Sequence, residues 1–335
     1  MKTRVLKIDP LEPEADRLAA AADVIRAGGL VAFPTETVYG LGASALNAEA
    51  CRRIFAAKGR PANNPLIVHV AQAADALPLV SEWPETAERL AQRFWPGPLT
   101  LVLPRSQHVP DVVTAGGSTV AVRVPAHPVA RGLIEAAGLP IAAPSANPSA
   151  LISATQAEHV LRGLGGRIEL LLDGGPTPGG LESTVLDLTV DPPRLLRPGL
   201  VSAQKIESVI GPIAGPHDRP VEISGPLRSP GMQTRHYAPR TPLELTDDDG
   251  WPRAVQLAGQ GLRVGWLTFV TEPEVPPANL TMVVMPRDPA AYAARLYAVL
   301  HALDASDLDR IVVAMPPSGD EWLAVRDRLL RAAAN

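Results

Sequence analysis

Lys58-Gly59-Arg60-Pro61-Ala62-Asn63-Asn64-Pro65-Leu66-Ile67-Val68-His69 joins the end of an amphipathic segment to a short apolar run across a turn punctuated by glycine and proline. A helical period over 48–57 followed by an apolar run over 66–70 is the building unit of an α/β sheet. The connection puts two cations and two amides at the mouth of the strand, and an imidazole inside it. Lys58 and Arg60, two apart around a glycine, can grip a phosphate from both sides. Taken alone, the same pair is more often a solvated helix end, where cations are favoured. Asn64, a turn former before the strand, has an amide that can also read a ligand. His69 is a polar ring on a buried strand and needs a partner, from the core or from a ligand.

Working outward, helical periods fall at 14–27, 85–94, 127–137 and 156–164, and apolar runs at 30–33, 99–103, 120–124, 141–143 and 168–172. Runs at 185–188 and 194–197 add a pair around Asp191-Pro192-Pro193. Several connections are too short for parallel crossovers, so a twisted mixed sheet is expected. Phe33-Pro34-Thr35-Glu36-Thr37-Val38-Tyr39-Gly40-Leu41-Gly42 is expected as a strand end followed by a polar, glycine-rich turn that admits a ligand. Prolines 212, 216, 220, 226 and 230 mark a linker. Beyond it, runs at 263–270, 281–285 and 310–315 predict three strands, interleaved with helices at 290–303 and 321–334. The expected division is a catalytic domain over 1–211, a Pro-rich linker and candidate lid over 212–240, and a small Rossmann-like α/β domain over 241–335. No GxGxxG follows its strands, which argues against dinucleotide binding.

The chain has 335 residues, 46% hydrophobic, 20% charged and 4% aromatic, a globular composition. No run approaches the ~20 apolar residues of a spanning helix, and a cytoplasmic protein is expected. The net charge of -4 gives no global drive toward nucleic acid. The single cysteine, Cys51, belongs to the apolar stripe of its helix and excludes an internal disulfide or thiolate cluster.

Three further loops carry chemistry. Thr114-Ala115-Gly116-Gly117-Ser118-Thr119 opens a strand that leads to Arg123, whose guanidinium needs a carboxylate, internal or from a substrate. Ala143-Pro144-Ser145-Ala146-Asn147 sets a hydroxyl and an amide among small residues, with Ser153 beyond; these groups suit phosphate or a metal's water shell. Glu182-Ser183-Thr184 and Arg197 end the series. There is no Ser-His-Asp order, HExxH or GxxxxGK[ST], so a nucleotide site without a Walker motif remains.

These motifs, with Trp95–Thr100 (WPGPLT), Val120–Pro128 (VAVRVPAHP), Leu195–Gly199 (LLRPG) and Ser229–Pro239 (SPGMQTRHYAP), resemble the YrdC-like threonylcarbamoyl-AMP synthase family in its longer form with an additional C-terminal domain. The resemblance implies a YrdC-like α/β fold and synthesis of L-threonylcarbamoyladenylate and pyrophosphate from L-threonine, bicarbonate or CO2, and ATP with Mg2+. The product would feed N6-threonylcarbamoyladenosine formation in tRNA by transfer proteins. It implies that Thr35, His69, Arg123, Ala143 and Ser183 face L-threonine. Lys58, Arg60, Asn64, Thr119, Ser145, Ser153, Arg197 and Tyr237 would face ATP, and Lys58, Arg60, Ser145 and Asn147 form the family's catalytic tetrad. Arg235, His236 and Tyr237 would fold back as a lid. No carboxylate cluster announces metal ligands, and direct contact with tRNA is left open. The competing reading is a nucleotide- or RNA-binding regulator without catalysis. A carbamoyltransferase-type maturation enzyme would need zinc-finger cysteines that this chain lacks.

Overall fold

The computed structural model describes residues 2–216, 236–271 and 275–334. The chain divides into two compact units, Met1–Ser149 with Ala154–Met232, and Ala150–Ser153 with Gln233–Asn335.

In the first unit the strands are β1 (Arg4–Lys7), β2 (Val31–Phe33), β3 (Gly40–Ser44), β4 (Ile67–His69), β5 (Leu99–Pro104), β6 (Thr119–Arg123), β7 (Ile141–Ala142), β8 (Leu170–Asp173), β9 (Thr184–Asp187) and β10 (Arg194–Arg197). Its helices are α1 (Ala15–Arg26), α2 (Ala48–Lys58), α3 (Glu85–Phe94), α4 (Asp111–Thr114), α5 (Pro128–Ala137), α6 (Ala157–Leu164) and α7 (Ala203–Ile210), with a 3-10 turn at Ala73–Leu79. The strands form one ten-stranded sheet ordered β1-β8-β2-β3-β7-β4-β6-β5-β9-β10. It is mixed: β4 runs parallel to β6 and antiparallel to β7, while β5 runs antiparallel to β6 and parallel to β9.

Alternation along the strands sorts the core. Val68, Leu101 and Val122 face a large cluster with Cys51 and Ile54 of α2, Leu90 of α3 and Val160 of α6. On the other face Val31, Phe33 and Ile141 pack under α1 and α5. Farther along that second face, Ile67, Val102, Ala121, Val185 and Leu196 form a small separate cluster to which no helix contributes. His69 and Arg123 lie two residues beyond Ile67 and Ala121, hence on this same face.

Gly40-Leu41-Gly42, the end of the stretch expected as a turn, instead opens strand β3, paired antiparallel with both β2 and β7. Its glycines answer to packing: a Cβ on Gly42 would stand 2.7 Å from Phe33 and 2.8 Å from Ile141. The charged, largely exposed β1, parallel to β8, and helix α7 carry too few apolar residues to stand out in the sequence.

Among the described residues the second unit has four strands where the sequence indicated three. They are β11 (Leu243–Thr246), β12 (Val264–Thr268), β13 (Leu280–Val284) and β14 (Arg310–Ala314), ordered β11-β14-β12-β13 and all parallel. The missed β11, Leu-Glu-Leu-Thr, is half-buried and blends into the acidic loop after it. Helices α8 (Trp251–Gly259), α9 (Pro289–Asp304) and α10 (Leu323–Ala333) complete the unit, with a 3-10 turn at Asp320–Trp322. Of the candidate lid, Arg235 lies outside the described residues.

Candidate active site

The sheet register gathers most of the expected residues around β4. At its entrance, α2 ends on Lys58, whose Nζ donates to Ser145 O at 2.6 Å and also to Asn147 O. Ser149 N closes the loop onto Lys58 O at 2.8 Å. Burial pushes the Lys58 ammonium well below the usual lysine range; the nearby Arg60 cation adds to this, and Glu182 opposes it. A buried ammonium beside a second cation is destabilised unless an anion balances it, an arrangement that suits an anionic ligand. Arg60 braces its own loop, donating from Nε to Asn64 O at 2.9 Å and from Nη2 to Asn64 Oδ1 at 2.6 Å and Pro65 O at 2.7 Å. The Asn64 side chain is fully buried, and its Nδ2 has no hydrogen-bond partner among the described residues. Such a donor is costly unless a ligand completes it.

At the other end of β4, His69 pairs in register with Arg123 of β6 and Ile141 of β7. Arg123 is 3% exposed and held on three sides: Nε donates to Gly97 O at 3.1 Å, Nη1 to Thr37 Oγ1 at 3.1 Å, and Nη2 lies 2.6 Å from Glu36 Oε1. Thr35 Oγ1 donates to Val38 O and contacts Thr37 Oγ1 at 2.7 Å, so the hydroxyls relay from Arg123 into the loop. Of the two carboxylates that could satisfy Arg123, internal or from a substrate, the internal one is present as Glu36. Burial opposes the charge of Glu36, but Arg123 outweighs it and holds the carboxyl below its usual range.

Burial, reinforced by Arg123 and opposed by Glu36, lowers His69 to about 3, so the ring is neutral at physiological pH. Its Nδ1 has no partner among the described residues. In the unfolded chain the ring titrates near 6.5, so the unfolded state binds the extra proton between that value and about 3, and stability falls with pH across this window. Between pH 7 and 5 this residue is expected to remove about 2 kcal/mol, a loss that urea titrations of His69→Gln should lack.

Ser183 stands just before β9, its Oγ 2.8 Å from Thr100 Oγ1. Arg197 of β10 donates to Ser183 O and Oγ, each at 3.0 Å. This hairpin closes only because Gly199 lacks a side chain: a Cβ there would lie 2.3 Å from Thr184 N and 2.7 Å from Glu182 O. Gly199→Ala is expected to cost about 1–3 kcal/mol by overpacking, read as a lower urea midpoint. Ala143, 4% exposed, donates its N–H to Ile67 O at 2.9 Å, and Thr119 opens β6 on the face of Ala121 and Arg123. Ser153 and Tyr237 fall in the second unit. There Ser153 O contacts His301 Nε2 at 3.1 Å, and the buried Tyr237 ring lies 4.9 Å under the Arg328 guanidinium and stacks on Tyr297. Residue-by-residue reading passed over Glu36, Thr37 and Thr100, although all three sit inside the quoted motifs.

Two family models match the chain: the Sua5/YciO/YrdC model, described as telomere recombination, over residues 23–199, and the threonylcarbamoyl-AMP synthase C-terminal domain over 201–334. A threonylcarbamoyl-AMP synthase of Bacillus subtilis is 45% identical over 332 residues, covering 97% of this chain and 95% of that protein. The chain belongs to the threonylcarbamoyl-AMP synthase family. Another synthase of this family, from Pyrococcus abyssi, is 56% identical over 226 residues, covering 67% of this chain and 66% of that protein. The crystal structure of P. abyssi Sua5 complexed with L-threonine superposes with a TM-score of 0.90 at 43% identity, covering 99% of this chain and 98% of that one. Escherichia coli YciO, at 26% identity and a TM-score of 0.54, matches 59% of this chain and 96% of its own, the extent of a YrdC-like unit without the C-terminal domain of the longer synthases.

Proposed function

We propose that this enzyme joins L-threonine, bicarbonate or CO2, and ATP into L-threonylcarbamoyladenylate and pyrophosphate. The observation that carries the reading is the buried Lys58 ammonium fastened to the Ser145–Asn147 loop beside Arg60, within a chain similar from end to end to threonylcarbamoyl-AMP synthases. Lys58, Arg60, Asn64, Thr119, Ser145, Ser153, Arg197 and Tyr237 take the nucleotide in this reading, and the unpartnered Asn64 Nδ2 supports the assignment. Thr35, His69, Arg123, Ala143 and Ser183 take L-threonine, the ligand of the P. abyssi structure.

The chain's own contribution is positioning and charge neutralisation. The amine adds to CO2 with loss of a proton to solvent, or to bicarbonate with loss of water, and the carbamate oxygen attacks the α-phosphorus in line as pyrophosphate leaves. Two anions must approach each other, which gives the Lys58 and Arg60 charges their purpose. Arg123 and the hydroxyl relay through Thr37 fix the amino acid, while neutral His69 adds no charge. A magnesium ion fits this donor set as a passenger on the nucleotide. Among the described residues no three His, Cys, Asp or Glu side chains converge, so phosphates and waters are its natural ligands, with Ser145 and Asn147 suited to the water shell. When bound it neutralises phosphate charge.

Downstream, the adenylate would supply transfer proteins that complete the tRNA modification in the cytoplasm. The test is pyrophosphate release from ATP and bicarbonate, with L-threonine omitted and restored, alongside serine. Threonine-dependent release supports the synthase. ATP binding without such release would overturn it in favour of a non-catalytic regulator.

A further inference from the structure

The ion pair between Glu36 and Arg123 is built unevenly. Arg123 is fixed on three sides by Gly97 O, Thr37 Oγ1 and Glu36. Glu36 is held more loosely: both carboxylate oxygens are buried, and although Arg123 Nη2 lies 2.6 Å from Oε1 and the Ala126 and Glu36 N–H groups help hold the pKa down, no strictly directed hydrogen bond among the described residues reaches either oxygen. A carboxylate has about four acceptor positions, and a buried one left without directed donors is incomplete. The missing group is a compact cation with several donors, close enough to share the site with Arg123.

We propose that Glu36 binds the α-ammonium group of the substrate amino acid while Arg123 binds its α-carboxylate. This rests on the assignment of L-threonine to the site. The two side chains together carry no net charge and neither does a zwitterionic amino acid, so the pocket matches its substrate in total charge and in the order of charges along it. The neutral His69 ring beside Arg123 leaves that balance intact. The ammonium loses its charge before carbamate formation, so the Glu36 contact belongs to the bound substrate and not to the transition state. Its loss therefore raises KM for threonine and kcat together and leaves kcat/KM nearly unchanged.

Calorimetric titration of the full chain with three probes separates the roles: L-threonine, L-threoninamide, which keeps the ammonium, and N-acetyl-L-threonine, which keeps only the carboxylate. In Glu36→Gln, L-threonine and L-threoninamide are expected to bind ~10–100-fold more weakly, as for loss of a charged hydrogen bond, while N-acetyl-L-threonine is unchanged. Equal weakening of all three would overturn the proposal, leaving Glu36 a brace for Arg123, as would unchanged binding of L-threonine. The native chain gives a second test that needs no variant: N-acetyl-L-threonine binding as tightly as L-threonine would also refute the ammonium contact. If the native chain bound no L-threonine at all, the functional reading itself would fail.

Discussion

Lys58→Ala is expected to lower threonine-dependent pyrophosphate release by ~10²-fold or more, the cost of removing a single donor aimed at developing charge. The side chain reaches its place through the last turn of α2, and its Nζ holds the Ser145 and Asn147 carbonyls. Truncation therefore removes a charge and also leaves two acceptors without their donor, costing about 1–3 kcal/mol of stability if water cannot replace it. Lys58→Met separates the lost volume from the lost charge and donor, because it fills the space but carries neither. Both variants should lose turnover, and the methionine variant should keep more of the urea midpoint. Near-normal release by Lys58→Ala would remove Lys58 from the nucleotide site.

Arg123→Leu should be the most destabilising single change at the site, by about 3–5 kcal/mol, because it leaves Glu36 as a buried charge without its partner. Adding Glu36→Leu should restore much of the loss, since a buried ion pair and an apolar pair of similar volume are often close in stability. Threonine affinity should not return. The pH dependence carries a definite sign. In the native protein the folded pKa of Glu36 lies below its ordinary 4.5, so its contribution is present above that value and is lost as pH falls through the folded pKa. In Arg123→Leu the Arg123 contribution is gone and burial is opposed only by the Ala126 and Glu36 N–H groups, so the Glu36 pKa rises and protonation relieves the penalty. The stability gap between the two proteins should narrow on acidification, and a gap that widens would contradict the account.

Much of this site was legible because it lies where helical and extended periods change over. Lys58, Arg60 and Asn64 interrupt the passage from α2 to β4, and Ser183 and Arg197 flank a short hairpin, so charge and amide residues stood out against apolar runs. Arg123 and His69 were conspicuous as polar side chains inside buried strands. The identity of the Arg123 partner was not legible. Glu36 and Arg123 are far apart in sequence, and only the sheet register brings them to 2.6 Å. β3 was hidden for another reason: glycines that signal turns also occur where neighbouring side chains leave no room for a Cβ. β11 was too short and too polar to separate from its loop. The excursion of Ala150–Ser153 out of the first unit has no periodicity at all, being fixed by the pairing of Leu151 with Ala238.

That excursion bears on how the gene can be cut. The second unit is discontinuous: it takes Leu151 as a partner for Ala238 and the Ser153 carbonyl as a partner for His301. A fragment starting after the linker would be expressed without those partners, and a fragment ending before it would keep Leu151 and Ser153 without Ala238 and His301. Dissection by truncation would thus damage both halves.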